Sequence, residues 1–246
     1  IEEARLTAQL EHPGIVSVHA LEQTSDGRAL FTMPEFQGKT LRSVIRDLHP
    51  RDSPEAVTAI RRMLVSFLRA CQAVAYAHDR GVIHRDIKPS NIMFGTFGEV
   101  LVLDWGLACR IGSDLGEKNV AGTPRYMSPE QAHMHPPSPA DDVYALGATL
   151  VELITGTPPF PGVRSREILR RVRSGSRIHI PPMPPGLQDL AGICHAALAP
   201  LRVRLPNAGA LSALLSAWLD GSQAHERAQG MICLLYTSPS PRDNRV

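Results

Sequence analysis

The chain has 246 residues, a formal charge of +2, 43% hydrophobic and 20% charged residues, enough for one large domain or two small lobes with a real core. That charge balance points to neither a nucleic acid nor an acidic partner. The four cysteines, Cys71, Cys109, Cys194 and Cys233, make no close pair and no metal spacing, so reduced thiols in a cytoplasmic protein are expected; no apolar run is long enough to span a membrane, and no signal peptide is legible.

Ile1 to Leu10 reads as a helix with Leu6 and Leu10 on one face, ended at His12-Pro13 because proline cannot continue it and restricts the residue before it. Ile15 to Leu21 and Arg28 to Met33 read as two strands joined by a turn at Ser25-Asp26-Gly27. Thr40 can cap a short helix to about Asp47, and Ser53-Pro54 opens a long one, with Ser as N-cap and Pro at the first helical position. Ile60, Leu64, Phe67, Cys71, Val74 and Ala75 make its apolar stripe, and Arg61, Arg62 and Arg69 lie off it. Gly81 ends that helix. A hairpin of Ile92-Met93-Phe94 and Val100 to Leu103 turns at Gly95 to Gly98. Further on, Asp141 to about Thr155, Ser165 to Ser174, Leu187 to Leu198 and Asn207 to Leu219 read as helices. The third of these stretches follows a linker at Pro181 to Pro185. The basic stretch around Arg166, Arg170, Arg171 and Arg173 is expected to be a solvated surface rather than a docking face.

Three motifs carry the chemistry. His84-Arg85-Asp86-Ile87-Lys88-Pro89-Ser90-Asn91 is followed by Asp104-Trp105-Gly106 and then by Gly122-Thr123-Pro124-Arg125-Tyr126-Met127-Ser128-Pro129-Glu130. In this order and at these separations they resemble the catalytic loop, the metal motif and the end of the activation segment of a bacterial-type serine/threonine protein kinase. The resemblance runs from about Ile1 to about Ile232. It implies an α+β, two-lobed fold with an incomplete small lobe and a mainly helical large lobe, using ATP and Mg2+ on serine or threonine of protein substrates. A non-catalytic pseudokinase scaffold and a small-molecule phosphotransferase of the same fold are the alternatives. Intact Asp86, Lys88, Asn91 and Asp104 oppose the first, and the activation-segment ending opposes the second.

The resemblance also implies residue roles. Asp86 would orient the substrate hydroxyl and accept its proton, Lys88 would neutralise the transferring phosphate, and Asn91 and Asp104 would hold magnesium. Met33, Pro34 and Phe36 would line the adenine, with Met33 as gatekeeper and the backbone of Pro34 and Phe36 at the base edge. His84 would pack in the core. Thr123 would bond the catalytic Asp and Lys, and Asp142 would hold the catalytic-loop backbone by accepting N–H bonds. Glu130 would be buried and paired with Arg204, with Arg202 as the alternative. Glu3, or else Glu2, would be the glutamate of the family's mobile C helix.

The chain departs from the family in three places. Pro200-Leu201-Arg202-Val203-Arg204 replaces the usual Asp-Pro-Xaa-Xaa-Arg, and Trp105 stands where the family has Phe. Ser113 is the only hydroxyl residue between Asp104 and Gly122. Arg85, which in the family receives a phosphothreonine, is therefore expected to face Ser113 or a standing charge at Asp114 or Glu117. The family's Gly-rich loop and strand Lys have no counterpart in the sequence, so a fragment with weak ATP binding and little activity of its own is expected. Cys233 to Asp243 resembles the translation of a transposon sequencing adapter. The expected divisions are a small-lobe remnant at 1–36, the large lobe at 37–221, an extension at 222–232 and the adapter-like, disordered tail at 233–246.

Overall fold

The structure, a computed structural model, describes residues 6–7, 9–16, 20–23, 29–48, 54–113, 121–162 and 164–221. Its strands are β1 (Ala20–Gln23), β2 (Ala29–Thr32), β3 (Gly38–Thr40), β4 (Val82–Ile83), β5 (Ile92–Gly95), β6 (Val100–Val102) and β7 (Cys109–Arg110). Its helices are α1 (Leu41–Leu48), α2 (Pro54–Asp79), α3 (Pro129–Ala132), α4 (Pro139–Thr155), α5 (Ser165–Arg173), α6 (Leu190–Ala197) and α7, residues 208–221. The class is α+β, as expected, with small antiparallel sheets and a larger helical body. The strands pair as β1-β2, β3-β5-β6 and β4-β7, all antiparallel.

Two helices form the centre of the body. In α2 the stripe Ile60, Leu64, Phe67, Cys71 and Val74 is buried, Ala75 is half-buried, and Ala70, Ala73 and Ala77 fill the spaces between the larger side chains. Every residue of α4 from Ala140 to Ile154 is buried, which fits a helix that is apolar nearly all round. Burying each Leu, Ile or Phe here contributes about 1.5–3 kcal/mol. Helix α4 begins two residues before the expected Asp141. Pro139 can take the first helical position, and the backbone N–H of Ser138 donates to Asp141 Oδ2 at 2.9 Å. Gly156, at φ 66°, closes it by donating to Glu152 O at 2.8 Å. A Cβ on Gly147 would lie 2.6 Å from Ala197 Cβ, so glycine is what lets α6 approach α4 this closely.

Some boundaries differ from the reading of the sequence. Ile15 makes a single parallel bridge, to Val102, and the first described strand is Ala20–Gln23, with residues 17–19 outside the described residues. The turn at 25–27 lies outside the described residues. Helix α6 starts at Leu190, because Pro184 to Leu190 is spent on two tight turns, Leu187 N to Pro184 O and Leu190 N to Leu187 O. Thr40 Oγ1 accepts from Ser43 N at 3.3 Å at the start of α1, the expected cap. The three described cysteines, Cys71, Cys109 and Cys194, are free and buried. No helix among the described residues is long and apolar enough to cross a membrane. On α5, Arg170 and Arg171 both bond Glu167, and Arg173 Nε donates to Ala132 O at 2.8 Å.

Candidate active site

The chain enters the site from α2. Gly81, at φ 74°, turns it into β4, which pairs with β7 in the register Ile83↔Cys109. That pairing ties the segment before His84 to the segment after Asp104. The hairpin β5-β6 then returns the chain to Asp104, and Leu103 N donates to Asn91 O at 2.8 Å. Both arms of the site are thus fixed by backbone bonds.

Asp86 lies among four groups. Its Oδ1 accepts the Thr123 backbone N–H at 2.9 Å and the Thr123 hydroxyl at 2.8 Å. Its Oδ2 pairs with the Lys88 ammonium, which also donates to Thr123 Oγ1 at 3.0 Å. Asn91 Nδ2 donates to Asp86 O at 3.0 Å and stands 3.5 Å from both Asp86 Oδ2 and Asp104 Oδ2. Asp86 and Asn91 are buried, and Lys88 is half-buried. The structure therefore brings Asp86, Lys88, Asn91, Asp104 and Thr123 into one set.

Beneath the set lies a buried carboxylate. Asp142 accepts the backbone N–H of His84 at 2.7 Å on Oδ2 and that of Arg85 at 2.8 Å on Oδ1. It also accepts from His78 Nε2 at 2.9 Å. Burial alone would push this carboxyl up, but the His78 ring, with help from His84, outweighs it and holds the group below its ordinary value. The tautomer of His78 follows from its neighbours. Its Nδ1 accepts Ala208 N–H at 3.2 Å, so Nε2 carries the proton given to Asp142.

His84 is fully buried. Its Nε2 meets Leu103 O at 3.0 Å, which can only accept, while its Nδ1 accepts the Asp86 N–H at 3.2 Å. A second ring proton would face that N–H, and burial lowers the pKa from its ordinary 6.5. The unfolded state therefore takes up a proton below about pH 6.5 that the folded state resists, so stability falls as pH falls through that range. Buried Asp141 and Glu152 are raised, chiefly by desolvation, and act in the opposite sense above the ordinary carboxylate range. The His84 contribution is therefore isolated as a difference. Urea midpoints of the wild-type chain should rise more steeply from about pH 5.5 to 7.5 than those of His84→Asn. Equal slopes would contradict the assignment.

Trp105 is buried, donates Nε1–H to Val102 O at 3.1 Å, and packs on the His84 ring at 4.5 Å between centroids. Its polar edge is thus satisfied. Asp104 and Arg85 both hold left-handed backbone, at φ 62° and 69°, a strained conformation for side chains of this size. Arg85 is kept there at both ends: its N–H goes to Asp142 and its carbonyl accepts from Gln131 Nε2 at 2.7 Å. The Arg85 guanidinium reaches Leu107 O at 3.2 Å. A Cβ on Gly122, at φ 117°, would lie 3.1 Å from Gln131 Nε2 and 3.2 Å from Arg85 O, so glycine suits that crossing.

Arg204, not Arg202, reaches Glu130, at 2.9 Å from Nη1 to Oε2. Arg204 also donates to Ala199 O and Ala140 O and lies over the Tyr144 ring, while Arg202 is exposed. Arg204 is buried, while Glu130, expected to be buried, is half-buried, so breaking the pair leaves a carboxylate largely out of water without its partner. Arg204→Met is expected to cost about 3 kcal/mol in urea unfolding, and Glu130→Gln added to it should recover part of the loss. A single-variant loss indistinguishable from zero would remove the pair from the account.

Other sequence-assigned residues are described mainly by their exposure or lie outside the description. Met33 and Pro34 are exposed, and Phe36 is half-buried near Gly95. Glu2, Glu3, Asp114 and Glu117 lie outside the described residues, as does the tail from residue 222; Ser113 is described, its N–H on Arg110 O. Sequence reasoning missed His78 and Gln131. Gln131 follows the Pro129-Glu130 motif directly, and His78 lies on the buried face of α2, seven residues after Cys71. Neither position has a spacing that announces its partner.

A family model described as the protein kinase domain matches residues 1–191. The chain belongs to the protein kinase family. Among its relatives are bacterial proteins named serine/threonine-protein kinase PknD. The one from Chlamydia caviae is 34% identical over 90% of this chain and 26% of its own length. The one from Protochlamydia amoebophila is 37% identical over 65% of this chain and 19% of its own length. The chain thus spans about a quarter or less of these curated relatives.

Proposed function

We propose that the protein containing this chain transfers the terminal phosphate of ATP to serine or threonine hydroxyls of proteins. The observation that carries this reading is the bonded set of Asp86, Lys88 and Thr123, with Asn91 between Asp86 and Asp104. Asp86 orients the attacking hydroxyl and takes its proton as the new O–P bond forms and the bond to the leaving diphosphate breaks, releasing ADP. Lys88 neutralises charge on the moving phosphate. Thr123 holds both and, with Lys88, supports serine or threonine as acceptor. The relatives' printed names support the same acceptors.

The residues fit a magnesium ion. Asn91 Nδ2 is anchored on Asp86 O, which leaves Oδ1, touched by Ser90 Oγ at 3.4 Å, to turn toward a cation, and Asp104 adds a carboxylate. Mg2+ commonly takes one or two protein carboxylates and fills its shell with water and phosphate oxygens. Bound there, it would supply neutralisation of phosphate charge. Met33, Pro34 and Phe36 are assigned to the adenine and Glu3 to the C-helix ion pair by the family's pattern. Asp86→Asn tests the reading in the whole protein that contains this chain: transfer should be lost while ATP binding stays. Equal turnover would refute the role.

A further inference from the structure

Below the activation-segment end lies a cleft of about 560 Å³, lined by Arg42, Arg46, Arg125, Tyr126 and Glu152 with Ile45, Gly156 and Pro158. Three guanidinium groups face one carboxylate there. That carboxylate is already engaged, since Tyr126 donates its hydroxyl to Glu152 Oε2 at 2.6 Å. Burial raises the Glu152 pKa although Tyr126, Arg42 and Arg125 all pull it down, and one carboxylate cannot balance three guanidinium groups. Arg125 spends Nη1 on two neutral acceptors, Pro159 O at 2.6 Å and Phe160 O at 2.8 Å. Arg46 reaches Ser43 Oγ at 3.4 Å. Among the described residues no carboxylate pairs directly with Arg42 or Arg46. The cleft therefore carries net positive charge in a partly enclosed space, where it is screened less than on an open surface.

Its position matters as much as its charge. Arg125 and Tyr126 follow Thr123 in the chain by two and three residues, and Thr123 is bonded to Asp86 and Lys88. An extended peptide placing its hydroxyl at Asp86 would run over this segment, and two or three residues of it reach about 7–10 Å. From the cleft's charge and its continuity with the site, we infer that it receives a carboxylate side chain of the substrate peptide, flanking the accepting residue. Arg42 and Arg46 on α1 supply the selection. This rests on the protein kinase reading above and names the substrate class that reading leaves open. A guanidinium accepts a carboxylate in a two-pronged bond that a neutral side chain cannot match.

The test is peptide binding, which does not require transfer. Three fluorescein-labelled peptides, each with one Ser flanked on both sides by Glu, Gln or Arg, are titrated with the chain and followed by anisotropy. The Glu peptide should bind about fivefold or more tighter than the Gln peptide, the gain of one partly exposed charge pair. Arg42→Gln with Arg46→Gln should bring the Glu peptide to the Gln level and leave the Gln peptide unchanged. Equal affinities, tighter binding of the Arg peptide, a preference that survives in the double variant, or no binding of any peptide would each overturn the inference. The two readings fail separately. Transfer that depends on Asp86 without a Glu preference removes only the cleft, whereas a Glu preference without transfer removes only the kinase chemistry.

Discussion

Asp86→Asn is expected to lower phosphoryl transfer by about 10²–10⁴-fold, the usual worth of a positioned general base. An amide has nearly the same size, so Thr123 can still donate to the remaining oxygen where it now meets Oδ1. The amide nitrogen, however, cannot take a proton, and facing the Lys88 ammonium it sets donor against donor where the native side chain forms an ion pair. Nucleotide affinity should change little, because Asn91 is anchored on the Asp86 backbone carbonyl, which the substitution keeps, and the Asp104 carboxylate is untouched. Unchanged turnover would transfer the base role to another group, or to none.

The largest stability effect is expected at Asp142. Asp142→Ala leaves the backbone N–H groups of His84 and Arg85 and the Nε2–H of His78 without their acceptor. Asp142 is wholly buried, so water does not readily replace it. Removing one member of such a buried network costs about 3–5 kcal/mol. Asp142→Asn should fall between the two, since its single oxygen can serve one backbone N–H while its amide nitrogen meets the other. Urea unfolding of the two variants checks this order. A loss under about 1 kcal/mol in Asp142→Ala would mean the loop is held by something else. The surviving folded fraction should also lose transfer, because His84 and Arg85 set the position of Asp86.

The parts of the site legible in the sequence are those whose members lie close together. Asp86, Lys88 and Asn91 share one loop, and Thr123 and Glu130 share one segment, so each group falls within a contiguous motif that the family resemblance could match residue by residue. The buried stripe of α2 was legible through its 3.6-residue period. Arg204 could be nominated only through the family's pattern, and its neighbour Arg202 differed from it in nothing the sequence shows; burial against Tyr144 separates them. His78 and Gln131 were invisible because their partners come from distant stretches. The short strands β3, β4 and β7 were missed too. Two or three residues carry no alternation to read, and their pairing is decided by partners far along the chain. The opening of α4 at Ser138-Pro139 was in plain view as a capping signal, but the acidic pair at Asp141-Asp142 drew the boundary two residues late.

One measurement bears most directly on the account. Labelled γ-phosphate of ATP is offered, with and without Mg2+, to peptides containing Ser, Thr or Tyr and to small hydroxyl metabolites, using the whole protein that contains this chain. The account predicts label on the Ser and Thr peptides only, dependent on Mg2+ and absent in Asp86→Asn. Label confined to a metabolite, or no transfer to any acceptor while Mg2+ and ATP bind, would contradict it.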